Sequence, residues 1–298
     1  MISPMDCTVF LESHWTKTFV RMARSDPSFY TSLFPESDLE YALSKAADDA
    51  RSIKILDAHR PFRSLDRYAD AQSAYRSGNS LRLDGIQRFS PKLMLLVRAL
   101  ERELSCFTGI NMYLTPGKIG ARALPKHYDT HDVFVLQVRG EKKWRIYTPP
   151  TVFPLEYVPP IRGEEDELLR IKKQVAHQCL RDASQISDEF TLKAGDLLYL
   201  PRGYWHQAES VDANVSCHLA IGVRPYTYLE LLTVAIAQVA ALNVNLRKPL
   251  PTGFATLKGC PASVRESVAG ILESLQTQID PDKALAEMAE IFSSRVLG

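Results

Sequence analysis

The sequence predicts a mainly β protein, a sandwich or barrel with helices packed around it. Between residues 110 and 225, short segments rich in β-branched and aromatic residues alternate with glycine or proline turns, a pattern typical of those two architectures. Apolar residues recur at helical spacing before this region and again from residue 226 onward. The predicted strands are 110–116, 132–140, 142–149, 189–203 and 216–225.

Helices are predicted on both sides of this region. In the segment before the first strand, Ser90 is suited to cap a helix that starts with Pro91. Three more helices are expected after residue 226, with a break at 246–254, and the polar segment 151–188 is expected to lie outside the barrel. The N-terminal predictions are helices at 10–23, 37–50 and 90–107 and a strand at 52–58.

Length, composition and charge are typical of an ordinary globular protein. The chain has 298 residues, 45% of them hydrophobic, which is enough for a globular core of normal size. A formal net charge of +1 predicts no direct nucleic-acid binding and no attraction to an anionic membrane. The longest apolar run, 231–244, is shorter than a membrane span and predicts a buried helix.

The N-terminus and the cysteines favour a cytoplasmic protein. The first residues show no basic start followed by an apolar core, so no signal peptide is expected. The five cysteines are widely spaced and include no Cys-x-x-Cys pair, which favours free thiols in a reducing compartment.

The motif HYDTHD, residues 127–132, places two histidines and two aspartates directly before an apolar strand. Imidazoles and carboxylates are costly to bury, so a metal ion that compensates them is expected. Residues two apart on a strand face the same side, so His127 and Asp129 would present their side chains together.

A third ligand is needed, and His206 is the best candidate. It follows an apolar strand and a Pro-Arg-Gly turn in GDLLYLPRGYWHQAES, residues 195–210, which would aim it at a barrel mouth. Two histidines and one carboxylate form the facial triad of non-heme Fe(II) oxygenases, which leaves positions open for a cosubstrate and dioxygen. His131 is a rival ligand, but the apolar period restarts at Val133, which favours a turn with His131 at the rim.

Lys142 is predicted to point into the barrel. The Arg-Gly-Glu segment 139–141 predicts a hairpin, after which Lys142 and Trp144 share one face. A buried lysine needs an anionic partner, which a dicarboxylate cosubstrate would supply. Without the metal triad, a surface lysine would be the better interpretation. The apolar residues expected to face Lys142 and Trp144 from the partner strand are Phe134, Leu136 and Val138.

Four motifs together resemble the JmjC/cupin-like Fe(II)- and 2-oxoglutarate-dependent oxygenases. Within that family the chain is most similar to the ribosomal-oxygenase branch, which hydroxylates protein side chains. The resemblance covers about residues 105–225 and implies a double-stranded β-helix, a jelly-roll barrel with helices packed around it. The motifs are NMYLTP (111–116), LPKHYDTHDVFVLQVRGEKKWRIY (124–147), GDLLYLPRGYWHQAE (195–209) and SCHLAI (216–221).

The resemblance implies a function for the metal site. It makes His127, Asp129 and His206 the ligands of Fe(II), with 2-oxoglutarate as cosubstrate and dioxygen as the oxidant. It assigns the distal carboxylate of 2-oxoglutarate to Lys142. The implied reaction is hydroxylation of an amino-acid side chain in a protein or peptide substrate.

The resemblance also extends to the walls of the cosubstrate pocket. Asn111 and Tyr113 match positions that line it, and Ser216 matches a polar residue on the strand behind it. His218 lies beside Ser216 on the same predicted face, and its role stays open.

About 73 residues follow Pro225, which is room for dimerisation helices but not also for the winged helix that ends the ribosomal oxygenases. A homodimer through the C-terminal helices is therefore compatible with the sequence, and a peptide natural-product tailoring hydroxylase is an alternative to a ribosomal-protein hydroxylase. An N-methyl-lysine demethylase and a non-catalytic cupin binding module are less favoured. The predicted organisation is an N-terminal helical and mixed part at 1–108, the catalytic β-helix at 109–225 and a C-terminal helical region at 226–298.

Overall fold

The β-rich region forms two antiparallel sheets. The computed structural model describes residues 1–48, 52–56, 63–64, 68–117, 124–148, 150–155, 185–211, 214–256 and 258–296. The strands in these ranges are β1 (Val20–Met22), β2 (Ile53–Leu56), β3 (Arg63–Ser64), β4 (Ser80–Leu83), β5 (Cys106–Thr115), β6 (Asp132–Arg139), β7 (Glu141–Thr148), β8 (Gln185–Lys193), β9 (Leu197–Leu200), β10 (Trp205–Ser210) and β11 (Ser216–Pro225).

The larger sheet has the strand order β1-β9-β6-β11-β5-β4-β2-β3, and the smaller sheet has the order β10-β7-β8. Side chains of both sheets meet in one buried cluster, which includes Val133 and Val135 from β6, Trp144 and Ile146 from β7, and Leu198 from β9. Two antiparallel sheets around a shared apolar core form the double-stranded β-helix that the resemblance implied. The predicted fold class, mainly β with flanking helices, is confirmed.

Two predictions about individual strands are changed by the structure. The segment predicted as one strand at 189–203 is two strands, β8 and β9, because the chain turns at Gly195, where φ is +94°. Of the predicted excursion at 151–188, residues 156–184 lie outside the described residues, and 185–188 belong to β8.

The predicted hairpin between β6 and β7 is wrong. β6 pairs with β9 and β11, whereas β7 pairs with β8 and β10 in the other sheet. The chain crosses between the sheets at Gly140, where φ is +65° and an added Cβ would lie 2.3 Å from the carbonyl oxygen of Val215. A short Arg-Gly-Glu turn serves a corner between sheets as well as a hairpin, so the sequence could not distinguish the two.

This crossing also reverses which side of β6 faces the barrel interior. Val133 and Val135 pack with Trp144 inside the barrel. Phe134 and Leu136, predicted to face that side, belong instead to the core on the other face of the larger sheet.

The N-terminal elements cover that other face. The helix predicted at 10–23 is wrong beyond residue 13, because α1 is short and Val20–Met22 form the edge strand β1. The helix predicted at 90–107 is confirmed as α4, with Pro91 at its start and Ser90 Oγ accepting from the Leu93 N–H at 3.5 Å. The helices of this part are α1 (Cys7–Ser13), α2 (Glu36–Asp48), α3 (Tyr68–Arg76) and α4 (Pro91–Leu104).

By its contacts the chain divides into two units, Met1–Pro225 and Tyr226–Gly298. The second unit contains the three helices that the sequence predicted: α5 (Tyr228–Leu242), α6 (Ala262–Gln278) and α7 (Pro281–Val296). α5 begins with a capping box, in which the Thr227 and Glu230 side chains bond each other's backbone N–H. The prediction of a buried helix at 231–244 is wrong, because Leu232 and Leu242 are exposed. Across the described residues, the helices are too short or too polar to traverse a membrane.

The corner at Gly140 gives a test of the fold. Gly140→Ala should lower the free energy of unfolding by about 2 kcal/mol or more, because the new Cβ meets a backbone oxygen and the left-handed φ is unfavourable for alanine. Gly109→Ala on β5 is the matched control, since nothing lies within 4 Å of its added Cβ. Chemical denaturation of both variants measures the difference, and equal stability would contradict the described crossing.

Candidate metal and cosubstrate site

Backbone hydrogen bonds join two segments that are distant in sequence. His127 N–H donates to the His206 carbonyl oxygen at 3.1 Å, and His206 N–H donates to the His127 carbonyl oxygen at 2.7 Å. Gly203 N–H donates to the Asp129 carbonyl oxygen at 2.9 Å. The predicted regular strand at His127 and Asp129 is wrong, and this pairing rather than strand alternation fixes their backbone beside that of His206.

The side chains of His127, Asp129 and His206 converge. One ligand atom from each lies within 4.8 Å of the other two. His206 Nε2 is 3.7 Å from an Asp129 carboxylate oxygen, and the two imidazole centroids are 4.3 Å apart. A metal ion bonded at about 2.1 Å to each ligand needs ligand atoms roughly 3 to 4 Å apart, so the three residues fit one ion.

Backbone carbonyls set the tautomer of both imidazoles. His127 Nδ1 lies 2.8 Å from the Pro125 carbonyl oxygen, and His206 Nδ1 lies 2.9 Å from that of Tyr204. Because a carbonyl only accepts hydrogen bonds, each Nδ1 carries a proton, and in the neutral form of each ring the free lone pair is on Nε2. This second hydrogen bond is the arrangement that orients histidines bound to metals.

The charge states of the cluster also suit a metal. Burial, followed by the neighbouring His127, lowers the pKa of His206 to about 4, so its imidazole is neutral. Burial alone would raise the pKa of Asp129, but the three neighbouring histidines and Arg224 hold it below its usual value. A neutral imidazole and an ionised carboxylate are the forms that bind metal ions.

The Lys142 side chain is fully buried. Its Nζ donates to Thr115 Oγ1 at 2.8 Å, and Ser80 Oγ lies 3.1 Å from the same oxygen. Burial lowers the pKa of Lys142 to about 7, although the nearby Cys217 acts in the opposite direction. A neutral hydroxyl does not compensate a buried cation, so the position is suited to an anion that enters from the cavity.

One cavity connects the histidine–aspartate cluster with Lys142. On the paired strands β7 and β10, His206 is opposite Ile146 and Ser210 is opposite Lys142. His206 and Lys142 are therefore four residues apart along the strand direction. That separation is roughly 13 Å along the strand, a span that side chains from both ends shorten. The polar residues lining the cavity are Tyr113, His127, Asp129, Lys142, His206 and His218, and its apolar lining includes Val133, Val135, Trp144 and Leu200.

The other predicted pocket residues lie in different places. Tyr113 lines the cavity. Asn111 Oδ1 accepts from the Gly85 N–H at 3.2 Å, and Ser216 Oγ accepts from Gln137 Nε2 at 2.9 Å. The polar side chains of Asn111 and Ser216 are therefore engaged in bonds within the wall, and their contact with a cosubstrate stays a prediction.

His131 lies outside the convergent set. Its ring packs against β11, where a Cβ on Gly222 would lie 2.8 Å from His131 Cδ2. The side chain is half-buried, and the three ligand atoms that approach one another come from His127, Asp129 and His206.

Sequence reasoning missed Thr115, the hydrogen-bond partner of Lys142. Thr115 lies two positions after Tyr113 on β5, so strand alternation places both side chains on one face and could have indicated it. It also left His218 without a role, although that side chain is buried and lines the cavity.

The fold and the cluster define a class of protein: a double-stranded β-helix with two imidazoles and one carboxylate at a cavity, as in mononuclear non-heme iron proteins. The chain belongs to the JmjC domain family, whose sequence pattern matches residues 83–231.

The chain is also similar in sequence to two proteins that are named ribosomal oxygenases. The chain is 29% identical to ribosomal oxygenase 2 of Rattus norvegicus over 96% of its own length and 60% of that protein. It is 32% identical to ribosomal oxygenase 1 of Rattus norvegicus over 88% of its length and 43% of that protein. The chain therefore spans about half the length of these two relatives.

A solved structure shares the fold. YcfD, a ribosomal oxygenase from Escherichia coli solved in complex with cobalt and 2-oxoglutarate, aligns with a TM-score of 0.51 and 16% identity. The alignment covers 97% of this chain and 71% of that chain.

The cluster gives a direct metal-binding prediction. Asp129→Ala should weaken Co(II) binding by at least about 100-fold, because it removes the one anionic ligand and leaves two neutral imidazoles. His131→Ala should bind Co(II) as the unaltered protein does, since its side chain lies outside the cluster. Anaerobic titration followed by visible absorbance measures the Co(II) affinity of both variants. If only His131→Ala lost Co(II) binding, His131 rather than Asp129 would be the metal ligand.

Proposed function

We propose that this protein is an Fe(II)- and 2-oxoglutarate-dependent dioxygenase that hydroxylates an amino-acid side chain of a protein or peptide. The observation that carries the proposal is the sharing of one cavity by the His127, Asp129 and His206 cluster and the buried Lys142. A lone metal cluster would fit many reactions, and a lone buried lysine would fit many anions. Their combination fits a cosubstrate that binds a metal at one end and carries a carboxylate at the other.

The relatives support the same reaction class. Two are named ribosomal oxygenases, and YcfD was solved with cobalt and 2-oxoglutarate bound. They favour a protein substrate over a peptide natural-product precursor, an alternative for which the comparisons give no support. A non-catalytic binding module is disfavoured because the three convergent ligands and the buried lysine are all present in one cavity.

His127, Asp129 and His206 would hold the iron through two Nε2 atoms and a carboxylate. When bound there with 2-oxoglutarate and dioxygen, the ferrous ion supplies the oxidising chemistry, in which one oxygen atom enters the substrate C–H bond and the other enters succinate, with release of CO2. Asp129 contributes one negative charge to the ion, and the two imidazoles add none.

The remaining residues of the cavity orient the cosubstrate and exclude water. The Lys142 ammonium pairs with the distal carboxylate, and the Thr115 hydroxyl keeps the ammonium in place. Val133, Val135 and Leu200 form an apolar wall beside the cluster, which lowers the local dielectric and strengthens the pairing. The reaction requires no side chain as general acid or base.

The second unit supports a proposal of homodimerisation. On α5, Leu229, Leu232 and Ile236 are exposed at helical spacing, and on α6 Val268 and Leu272 are exposed one turn apart. Exposed apolar stripes of this kind are covered in many proteins by a second copy. We infer that these helices form the dimer contact.

We also infer a cytoplasmic location. Four described cysteines, Cys7, Cys106, Cys217 and Cys260, are free thiols, which is the state expected in a reducing compartment.

Turnover tests the proposed reaction. With Fe(II), ascorbate and 2-oxoglutarate under air, the protein should release succinate and add one oxygen atom to a peptide drawn from ribosomal proteins, as measured by mass spectrometry. Asp129→Ala should show neither product. Loss of a methyl group from a methyl-lysine peptide, without a gain of oxygen on any peptide, would replace hydroxylation with demethylation.

The depressed pKa of Lys142 predicts a pH dependence for cosubstrate binding. Below about pH 7 the lysine is already protonated, so the Kd for 2-oxoglutarate should be nearly constant. Above that pH, binding must take up a proton, and the Kd should rise by up to about tenfold per pH unit. Anaerobic titrations on the Co(II)-loaded protein between pH 6 and 9 measure this effect.

Lys142→Arg is the control for that measurement, because a guanidinium stays charged throughout the range. Its Kd should be weaker than that of the unaltered protein at pH 6 and should change little with pH. A flat profile for the unaltered protein would contradict the role of Lys142.

Substitution of two stripe residues tests the dimer. Leu232→Asp combined with Leu272→Asp should convert a dimer to a monomer in light scattering, because two charges per chain would be buried in the contact. Thr277→Asp adds the same charge to α6 without removing an apolar side chain and should leave the dimer intact. A monomer in the unaltered protein would rule out this contact.

A further inference from the structure

The second aspartate of the HYDTHD motif, Asp132, lies outside the three convergent ligands. Its side chain is fully buried at the first position of β6. A buried carboxyl group is costly unless hydrogen-bond donors satisfy it, so a buried aspartate in this place needs a physical reason. The reason lies in the turn that leads to His206, because Asp132 Oδ1 accepts a hydrogen bond from that turn.

The turn between β9 and β10 is bonded to the motif through two successive N–H groups. Arg202 N–H donates to Asp132 Oδ1 at 2.7 Å. Gly203 N–H donates to the Asp129 carbonyl oxygen at 2.9 Å. The first distance is at the short end of the range for N–H···O hydrogen bonds. The Asp132 side chain and the Asp129 backbone therefore hold the same turn at adjacent residues.

Together with the backbone pairing already described, these bonds form three cross-links in antiparallel order. Along the motif, the linked pairs are His127 with His206, Asp129 with Gly203, and Asp132 with Arg202. Asp129 lies between the other two cross-links, so its backbone is held from both sides. Loss of the Asp132 bond would leave the segment after Asp129 without its side-chain link to the turn.

The turn itself is fixed on a further side. Thr151 N–H donates to the Gly203 carbonyl oxygen at 2.9 Å. At Gly203 φ is +87°, and an added Cβ would lie 1.8 Å from the Thr151 carbonyl oxygen. The Thr151 side chain also accepts from Trp205 Nε1 at 3.2 Å. The turn is thus a rigid reference, and Asp132 fixes the position of the motif relative to it.

We propose that Asp132 is a positioning residue for the metal cluster: its carboxyl group fixes the segment that carries Asp129 against the turn that leads to His206. The proposal rests on the proposed function, because it concerns the same three ligands. Asp132 acts through the backbone of Asp129 and is not itself a ligand. A site whose ligands are held before the ion arrives binds it more tightly, since less conformational freedom is lost on binding.

Asp196 provides a matched control at the other end of β9. It precedes that strand, whereas Arg202 follows it. Asp196 is 2% exposed, and its carboxyl oxygens accept from the backbone N–H groups of Arg24 at 2.8 Å and Lys193 at 3.0 Å. Its removal therefore breaks hydrogen bonds of the same kind, from a buried carboxyl group to the backbone, at the end of the strand away from the cluster.

The test measures Co(II) affinity in anaerobic titrations of the full chain. Asp132→Ala should raise the Kd for Co(II) by roughly tenfold or more and shift the visible band of the bound ion, because the ligand geometry is loosened. Asp132→Asn keeps an oxygen that can accept from Arg202 N–H and should bring the Kd back to within about threefold of the unaltered protein. Asp196→Ala should lower the midpoint of chemical denaturation and leave both the Kd and the band unchanged.

Three results would overturn the proposal. The first is an Asp132→Ala variant that binds Co(II) as the unaltered protein does. The second is an Asn variant as weak as the Ala variant, and the third is an Asp196→Ala variant that loses as much affinity as Asp132→Ala. If Asp132→Ala does not fold, Asp132→Ser takes its place under the same expectations, because its shorter side chain falls short of the Arg202 N–H.

Failure of this inference can be told apart from failure of the proposed function. If the unaltered protein binds Co(II), Asp129→Ala loses that binding and Asp132→Ala keeps it, the metal cluster stands and Asp132 has no positioning role. If the unaltered protein binds no Co(II), both the proposed function and this inference are wrong.

Discussion

The reciprocal backbone hydrogen bonds between His127 and His206 are the constraint on which the site depends. They join the segment that precedes β6 in the larger sheet to the first residues of β10 in the smaller sheet. The Gly203 N–H then holds Asp129 at the same junction. Because the two sheets are connected here by main-chain atoms, the positions of the three candidate ligand side chains follow from the fold.

The cavity contains polar and charged groups that are costly to bury unless they form hydrogen bonds or ion pairs with a ligand. Lys142 is a buried cation whose described partner is the neutral Thr115 hydroxyl, and within the described ranges His218 Nδ1 and Trp144 Nε1 have no hydrogen-bond partner. The metal cluster, in contrast, already has groups arranged as an ion requires, because carbonyls accept from the Nδ1 atoms of both histidines and the pKa of Asp129 is held below its usual value. The cavity thus offers a candidate metal site at one end and a buried lysine suited to an anion at the other.

The sequence predicted the elements more reliably than their connections. The alternation of apolar residues indicated most strands, and β11 has the predicted bounds 216–225. The pairing of β6 could not be read from the turn at Gly140, because the same three residues fit a hairpin or a corner between sheets. The convergence of His127, Asp129 and His206 was predicted from residue types, although the expected strand at 127–129 is absent from the structure and a single bridge replaces it. The roles of Thr115 and His218 depend on which side chains meet across the barrel, and that is set by long-range packing rather than by local pattern.

A crystal structure of the protein prepared anaerobically with Mn(II) and 2-oxoglutarate would test the central claim most directly. The account predicts one metal ion about 2.1 to 2.2 Å from His127 Nε2, His206 Nε2 and an Asp129 oxygen, with the distal carboxylate of the cosubstrate at Lys142 Nζ. A metal bound through other residues, or a cosubstrate whose distal carboxylate lies away from Lys142, would contradict it.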